Sequence, residues 1–269
     1  METSSRLNGL ERWLLALPLA GGLVFGLFPF LVPVAFASFT GFSGNDPFIY
    51  RLAGAATFGY AVALALGLQQ GTWAAVRLVV IAVLTFNLAS LYACSFELLS
   101  PSTNGEVKPI VLLILATSIA IVTICGGLLY RHRTDARPTP NIATWVGRFI
   151  VVATIVALVF GLTPLFYPQL NHLFGFKVTD LFLYRQAGAA TLGYAVMGVF
   201  ELRSRNWQEI RWPTAAFTKI DLCDKMKACE HTLTIYDSVF CTRLIRGSHE
   251  QRLARRLKSH EPQSSGISS

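Results

Sequence analysis

The chain has 269 residues, 53% of them hydrophobic and 14% charged, with a mean hydropathy of +0.49. Soluble domains carry about 25% charged residues, so this composition does not fit a water-soluble globular fold. The net charge of +8 does not argue for nucleic acid, because the basic residues gather at the ends of apolar runs, as they do beside membranes.

Residues 1–12 carry Arg6 and Arg12 and read as a cytoplasmic N-terminus. The first long apolar run covers about 13–35. Ala35-Phe36-Ala37 resembles a signal-peptidase site, but the run exceeds a signal h-region and has a counterpart at 145–168, so it is read as a span. Further runs long enough to cross a bilayer as helices follow at 48–69, 74–96, 109–130, 145–168 and 181–200. Arg51 is the only charge in the second run, and the fourth has none. Arg77, Arg131, Arg133, Arg137, Arg148, Arg203, Arg205 and Arg211 fall on the same side as Arg6 and Arg12. This bias predicts cytoplasmic termini, and a plasma (inner) membrane location in a bacterium.

The chain also matches itself. Residues 46–62 and 180–196 are identical at 13 of 17 positions, at an offset of 134. Upstream, Leu23-Val-Phe-Gly-Leu-Phe-Pro29 matches Leu158-Val-Phe-Gly-Leu-Thr-Pro164, and downstream Trp73 and Arg77 correspond to Trp207 and Arg211. The period encloses four spans, an even number, so both copies enter from the same side and are parallel. The expected fold is all-α: a polytopic transmembrane helix bundle of two parallel repeats of a four-helix unit, the second truncated to two helices, with about six spans. The first repeat covers 13–130, a basic cytoplasmic linker 131–144, the second repeat 145–212, and a polar basic tail 213–269. Lys219, Asp221, Asp224, Lys225 and Lys227 occupy the place of a seventh span, where each charge would cost several kcal/mol in lipid. A frame change or truncation that replaced an ancestral helix pair accounts for this. The hypothesis fails if no reading frame after codon 212 encodes two apolar runs.

The repeated Asp-x3-Tyr-Arg motif supplies the candidate polar site: Asp46, Tyr50, Arg51 and Tyr60, with Asp180, Tyr184, Arg185 and Tyr194. Asp46 before Pro47 is expected to cap its own helix, as is Asp180. Small residues recur every four positions at Ala53, Thr57, Ala61 and Ala65 and at Ala55, Gly59 and Ala63. They allow close helix approach and suit a homo-oligomeric or other membrane partner beside the lipid bilayer. Thr57 is expected to bond back to its own helix, Asn87 to bond between helices, and Pro29, Pro33, Pro164 and Pro168 to end or kink two spans.

Enzymatic signatures are missing. No Asp, Glu, Lys or His stands near the centre of an expected span, and His132, His172, His231, His249 and His260 all lie in connections or the tail. Proton relays and membrane haem sites need such groups. Cys223, Cys229, His231 and Cys241 lack the close cysteine pairing of zinc sites, so no metal or cofactor is expected. The basic stretch 243–258 reads as solvated tail. The expectation is a non-catalytic structural or interaction component; the alternative is a carrier or channel for a small solute that uses the repeated motif.

Overall fold

The computed structural model describes residues 5–101, 106–133, 144–204 and 210. The expectations for the tail 213–269, its Cys/His group, its basic stretch, and most of the linker 131–144 lie outside these residues. Seven α-helices form among them: α1 Gly9–Leu31, α2 Pro33–Thr40, α3 Pro47–Gln70, α4 Trp73–Leu99, α5 Pro109–Arg131, α6 Thr144–Phe166 and α7 Leu181–Ser204. A 3-10 helix, Pro168–Phe174, links the last two. No strand forms among the described residues, although the segment before α1 pairs with the α3–α4 turn through Leu7 N to Gly71 O (3.0 Å) and Trp73 N to Ser5 O (2.9 Å).

Local chemistry sets the helix ends. Asn8 accepts from the Glu11 amide at 2.8 Å while the Glu11 carboxylate accepts from the Asn8 amide at 2.9 Å, a reciprocal cap for α1. The run expected over 13–35 is broken at Val32, because Pro33 cannot continue a hydrogen-bonded helix but suits the first position of a new one. The same break recurs at Tyr167 before Pro168. Pro29 and Pro164 themselves lie inside α1 and α6, close to where each ends.

Five helices (α1, α3, α4, α5 and α6) are long and apolar enough to cross a membrane, which is compatible with an integral membrane protein. The sixth expected span coincides with α7. It has 24 residues but is less apolar, with Arg185, Gln186, Glu201 and Arg203 in its sequence. Much of α7 is buried against its neighbours, from Phe182 to Met197. By contrast α5 and α6 present Leu112, Leu113, Ile119, Val152, Ile155 and Phe160 outward, each more than half exposed. Apolar side chains turned away from the protein core are what contact with lipid requires.

Packing is tightest at glycines. A side chain at Gly54 of α3 would stand 2.6 Å from Phe30 N and 2.7 Å from Gly26 O of α1. A side chain at Gly188 of α7 would stand 2.6 Å from Gly161 O and 2.6 Å from Leu165 N of α6. These are backbone-to-backbone approaches that only glycine permits. Inside the bundle, α4 supplies the core through Val76, Val79, Val80 and Ala82, all essentially inaccessible.

Candidate functional site

Eight residues of the repeated motif were expected to form one polar site; the folded chain sorts them into a cluster, a second layer and two outliers. The cluster is Asp46, Tyr50, Asp180 and Tyr184, all buried. Tyr50 donates its hydroxyl to Asp180 Oδ2 at 2.9 Å. Tyr184 donates to Asp46 Oδ2 at 3.2 Å. Each tyrosine thus serves the carboxylate of the other segment.

The remaining carboxylate oxygens are bound in the same crossed way. Ser43 N donates to Asp180 Oδ1 at 3.1 Å, and Lys177 N donates to Asp46 Oδ1 at 3.3 Å. Ser43 and Lys177 are 134 positions apart, like the aspartates. Ser43 Oγ adds a bond to Asp180 Oδ2 at 2.7 Å. Even the backbone beneath matches: Gly44 and Val178 both take positive φ, 68° and 50°. Val178 is β-branched, for which this region is strained, so the surrounding contacts must hold it there.

This corrects the capping expectation for Asp46. It occupies the position before α3, but no side-chain bond caps the helix. The Ile49 amide donates to the Asp46 backbone carbonyl at 3.1 Å, and the carboxylate is taken up across the interface by Lys177 N and Tyr184 instead. Asp180 likewise spends its carboxylate on Ser43 and Tyr50, while its backbone carbonyl accepts from Leu183 N at 3.0 Å.

Tyr60 and Tyr194 make a second layer two to three turns further along. Their rings stack with centroids 4.2 Å apart. Tyr60 donates to the Ala190 carbonyl at 2.5 Å and Tyr194 to the Ala56 carbonyl at 2.6 Å, again at matching positions. Because the N-terminal motifs meet and the tyrosines further along meet, α3 and α7 run side by side in the same direction.

A scan against protein-family models, a search of curated proteins and a search of solved structures each return no match.

Arg51 and Arg185 are not part of the cluster. Arg51 is exposed and makes no hydrogen bond or ion pair among the described residues. Arg185 lies over the Phe96 ring of α4 at 4.8 Å and within electrostatic reach of Glu97. Two motif partners thus differ only where α4 covers one and not the other. Thr57 bonds back to Ala53 O at 2.8 Å, as expected. Asn87 does not bond between helices: its Nδ2 donates to Val83 O of its own helix at 2.8 Å.

Three features escaped sequence reasoning. Glu97 is fully buried near the end of α4, a charge that looks terminal in sequence. Lys108, just before α5, places Nζ 3.9 Å from the centre of the Phe42 ring with no hydrogen bond among the described residues. Burial holds its ammonium below the usual lysine range, partly offset by the charges of Asp180 and Glu97. At the opposite end of the bundle, Glu11 of α1 pairs with His132 Nε2 at 3.0 Å and Arg131 Nε at 3.2 Å. His132 also stacks on Trp73 at 4.4 Å. Sequence left Glu11, His132 and Trp73 in three separate connections, and only the fold joins them.

Every tyrosine hydroxyl and every aspartate oxygen in the cluster has a protein partner, so its polar groups tie the two copies of the motif together.

Proposed function

We propose that this chain is a multi-pass integral membrane protein that works as a non-catalytic structural or interaction component. Its architecture is two parallel repeats of a four-helix unit, the second truncated to two helices, with six spans including α7. At 1.5 Å per residue α7 is about 36 Å long, enough for a hydrocarbon core of about 30 Å; Gln186 and Glu201 are buried against neighbouring helices, and the exposed Arg203 stands at its end.

The observation that carries this reading is the crossed pairing of Tyr50 with Asp180 and Tyr184 with Asp46. Two copies of one motif use their polar groups on each other. Backbone geometry supports the repeat: Val32 and Tyr167 have φ, ψ of −129°, 62° and −127°, 58°. Gly41 and Gly175 follow at 77°, 18° and 81°, 11°. The bare Arg51 against the covered Arg185 supports truncation, since a complete second unit would place a helix like α4 over Arg51.

The test is reconstitution of the purified chain in liposomes together with Tyr50→Phe, Tyr184→Phe and Arg51→Gln/Arg185→Gln variants. The reading expects no protein-dependent flux of glycerol, glucose or phosphate, and lower thermal stability in the two tyrosine variants. Saturable flux that disappears in the double arginine variant, with stability unchanged, would sink it in favour of a carrier.

A further inference from the structure

A partly open cavity of about 120 Å³ lies among α1, α2, α3, α4, α5 and α7. Its walls include the aromatic rings of Phe25, Phe36, Phe42, Phe86, Tyr50 and Tyr60, and no Asp, Glu, Lys or Arg. The polar lining is Asn87 and Ser90 of α4, Thr57 of α3, Thr117 and Ser118 of α5, and Gln186 of α7.

How those polar groups are bonded decides what is left over. Asn87 uses Nδ2 on its own helix, which leaves Oδ1 without a hydrogen bond among the described residues. Gln186 rests Nε2 on Cys94 Sγ at 3.7 Å, which leaves Oε1 in the same state. Ser118 donates to Ser90 Oγ at 3.3 Å. The unused capacity thus includes the acceptor oxygens of two carboxamides, beside the second N–H of each, in an apolar, uncharged space where an unmet acceptor is costly.

Gln186 also stands out within the repeat. The 17-residue segments differ at four positions: Pro47/Leu181, Ile49/Leu183, Leu52/Gln186 and Phe58/Leu192. Three differences exchange one apolar residue for another. The fourth puts a carboxamide where the first copy has leucine, and that carboxamide lines a cavity whose other walls come mainly from first-copy helices. An uncharged polar side chain inside a membrane bundle ordinarily bonds to a neighbouring helix, and Gln186 Oε1 has no such bond among the described residues.

We propose that the cavity binds a neutral, ring-sized apolar molecule carrying one O–H or N–H donor, which bonds to Gln186 Oε1 or Asn87 Oδ1. The volume of about 120 Å³ is near that of the apolar cavity of about 150 Å³ that accepts benzene, and its open side leaves room for a ring substituent. The absence of lining charge selects neutral molecules, the aromatic walls favour a flat ring, and a donor on the ligand satisfies the free acceptors. The cavity borders the crossed aspartate–tyrosine pairs through Tyr50, but its free acceptors belong to Gln186 and Asn87, so the proposal does not depend on the role of those pairs.

The test uses ¹⁹F NMR of the full chain in lipid nanodiscs, with 4-fluorophenol as probe and fluorobenzene as the control lacking a donor. The wild-type chain is expected to give a saturable bound signal for 4-fluorophenol, tighter than for fluorobenzene. Gln186→Leu, which installs the residue of the first copy, should weaken 4-fluorophenol about tenfold, the worth of one net hydrogen bond, and leave fluorobenzene unchanged. Gly21→Leu should abolish both, because Gly21 lines the cavity and a Cβ there meets only Ile121 Cδ1 at 4.0 Å. The proposal is overturned by no saturable signal in the wild type, by equal binding of the two probes, or by binding that survives Gly21→Leu.

Discussion

Tyr60 and Tyr194 stack 4.2 Å apart, and each hydroxyl crosses to a backbone carbonyl on the helix that carries the other ring. Both rings lie well inside the bundle, so those hydroxyls have no water to fall back on. Removing either hydroxyl loses one net hydrogen bond, about 0.5–1.5 kcal/mol, while the carbonyl keeps the backbone N–H of its own helix. Tyr60→Phe and Tyr194→Phe are therefore expected to lower unfolding free energy by similar amounts in detergent denaturation. Alanine at either position should cost about 3–5 kcal/mol, because the stack and the packed volume go as well.

Glycine positions separate packing from mere helix content. Gly54→Leu and Gly188→Leu place atoms inside neighbouring backbone, so folded protein should be lost or sharply reduced in size-exclusion profiles. Gly126→Leu and Gly127→Leu in α5 meet nothing within 4 Å and should be tolerated. Helix propensity favours leucine over glycine at all four positions, so a loss at the first pair and none at the second isolates helix contact as the cause.

Lys108 tests the cost of a buried charge. Its ammonium is held below the ordinary lysine range by burial, with only partial help from Asp180 and Glu97. Between that lowered value and the ordinary one, the unfolded chain binds more protons than the folded chain, so stability rises with pH across the window. Below it the penalty is fully present. Lys108→Met should raise the melting temperature at neutral pH and flatten the rise seen in the wild type on going to alkaline pH. Thermal melts of both proteins across the alkaline range check this.

Much of the fold is legible in the amino-acid order, and for a physical reason. Long apolar runs have few ways to satisfy their backbone in lipid, so helices follow from composition, and the self-match exposes the motif that joins α3 to α7. The partners of that motif are not legible. Asp46 before Pro47 looks like a local cap, and a capping aspartate and a crossing aspartate read alike until the two helices are set side by side. Gln186 is visible as the one polar departure between the copies, but its meaning depends on α4 and α5 standing opposite it. Glu11 and His132 are 121 positions apart, and only the return of α5 to the start of α1 brings them together. The break at Val32 lies between these cases: Pro33 announces an interruption, though not the short separate helix that follows it.

The crossed geometry itself is tested most directly by double-mutant cycles on unfolding free energy. One cycle pairs Tyr50→Phe with Asp180→Asn across the two segments, and the other pairs Tyr50→Phe with Asp46→Asn within one segment. Hydrogen bonds to charged groups are worth about 1.5–3 kcal/mol, and coupling appears only between residues that interact. The crossed cycle is expected to show coupling on the order of 1–2 kcal/mol and the within-segment cycle little. Strong coupling within the segment together with additivity across it would contradict the account.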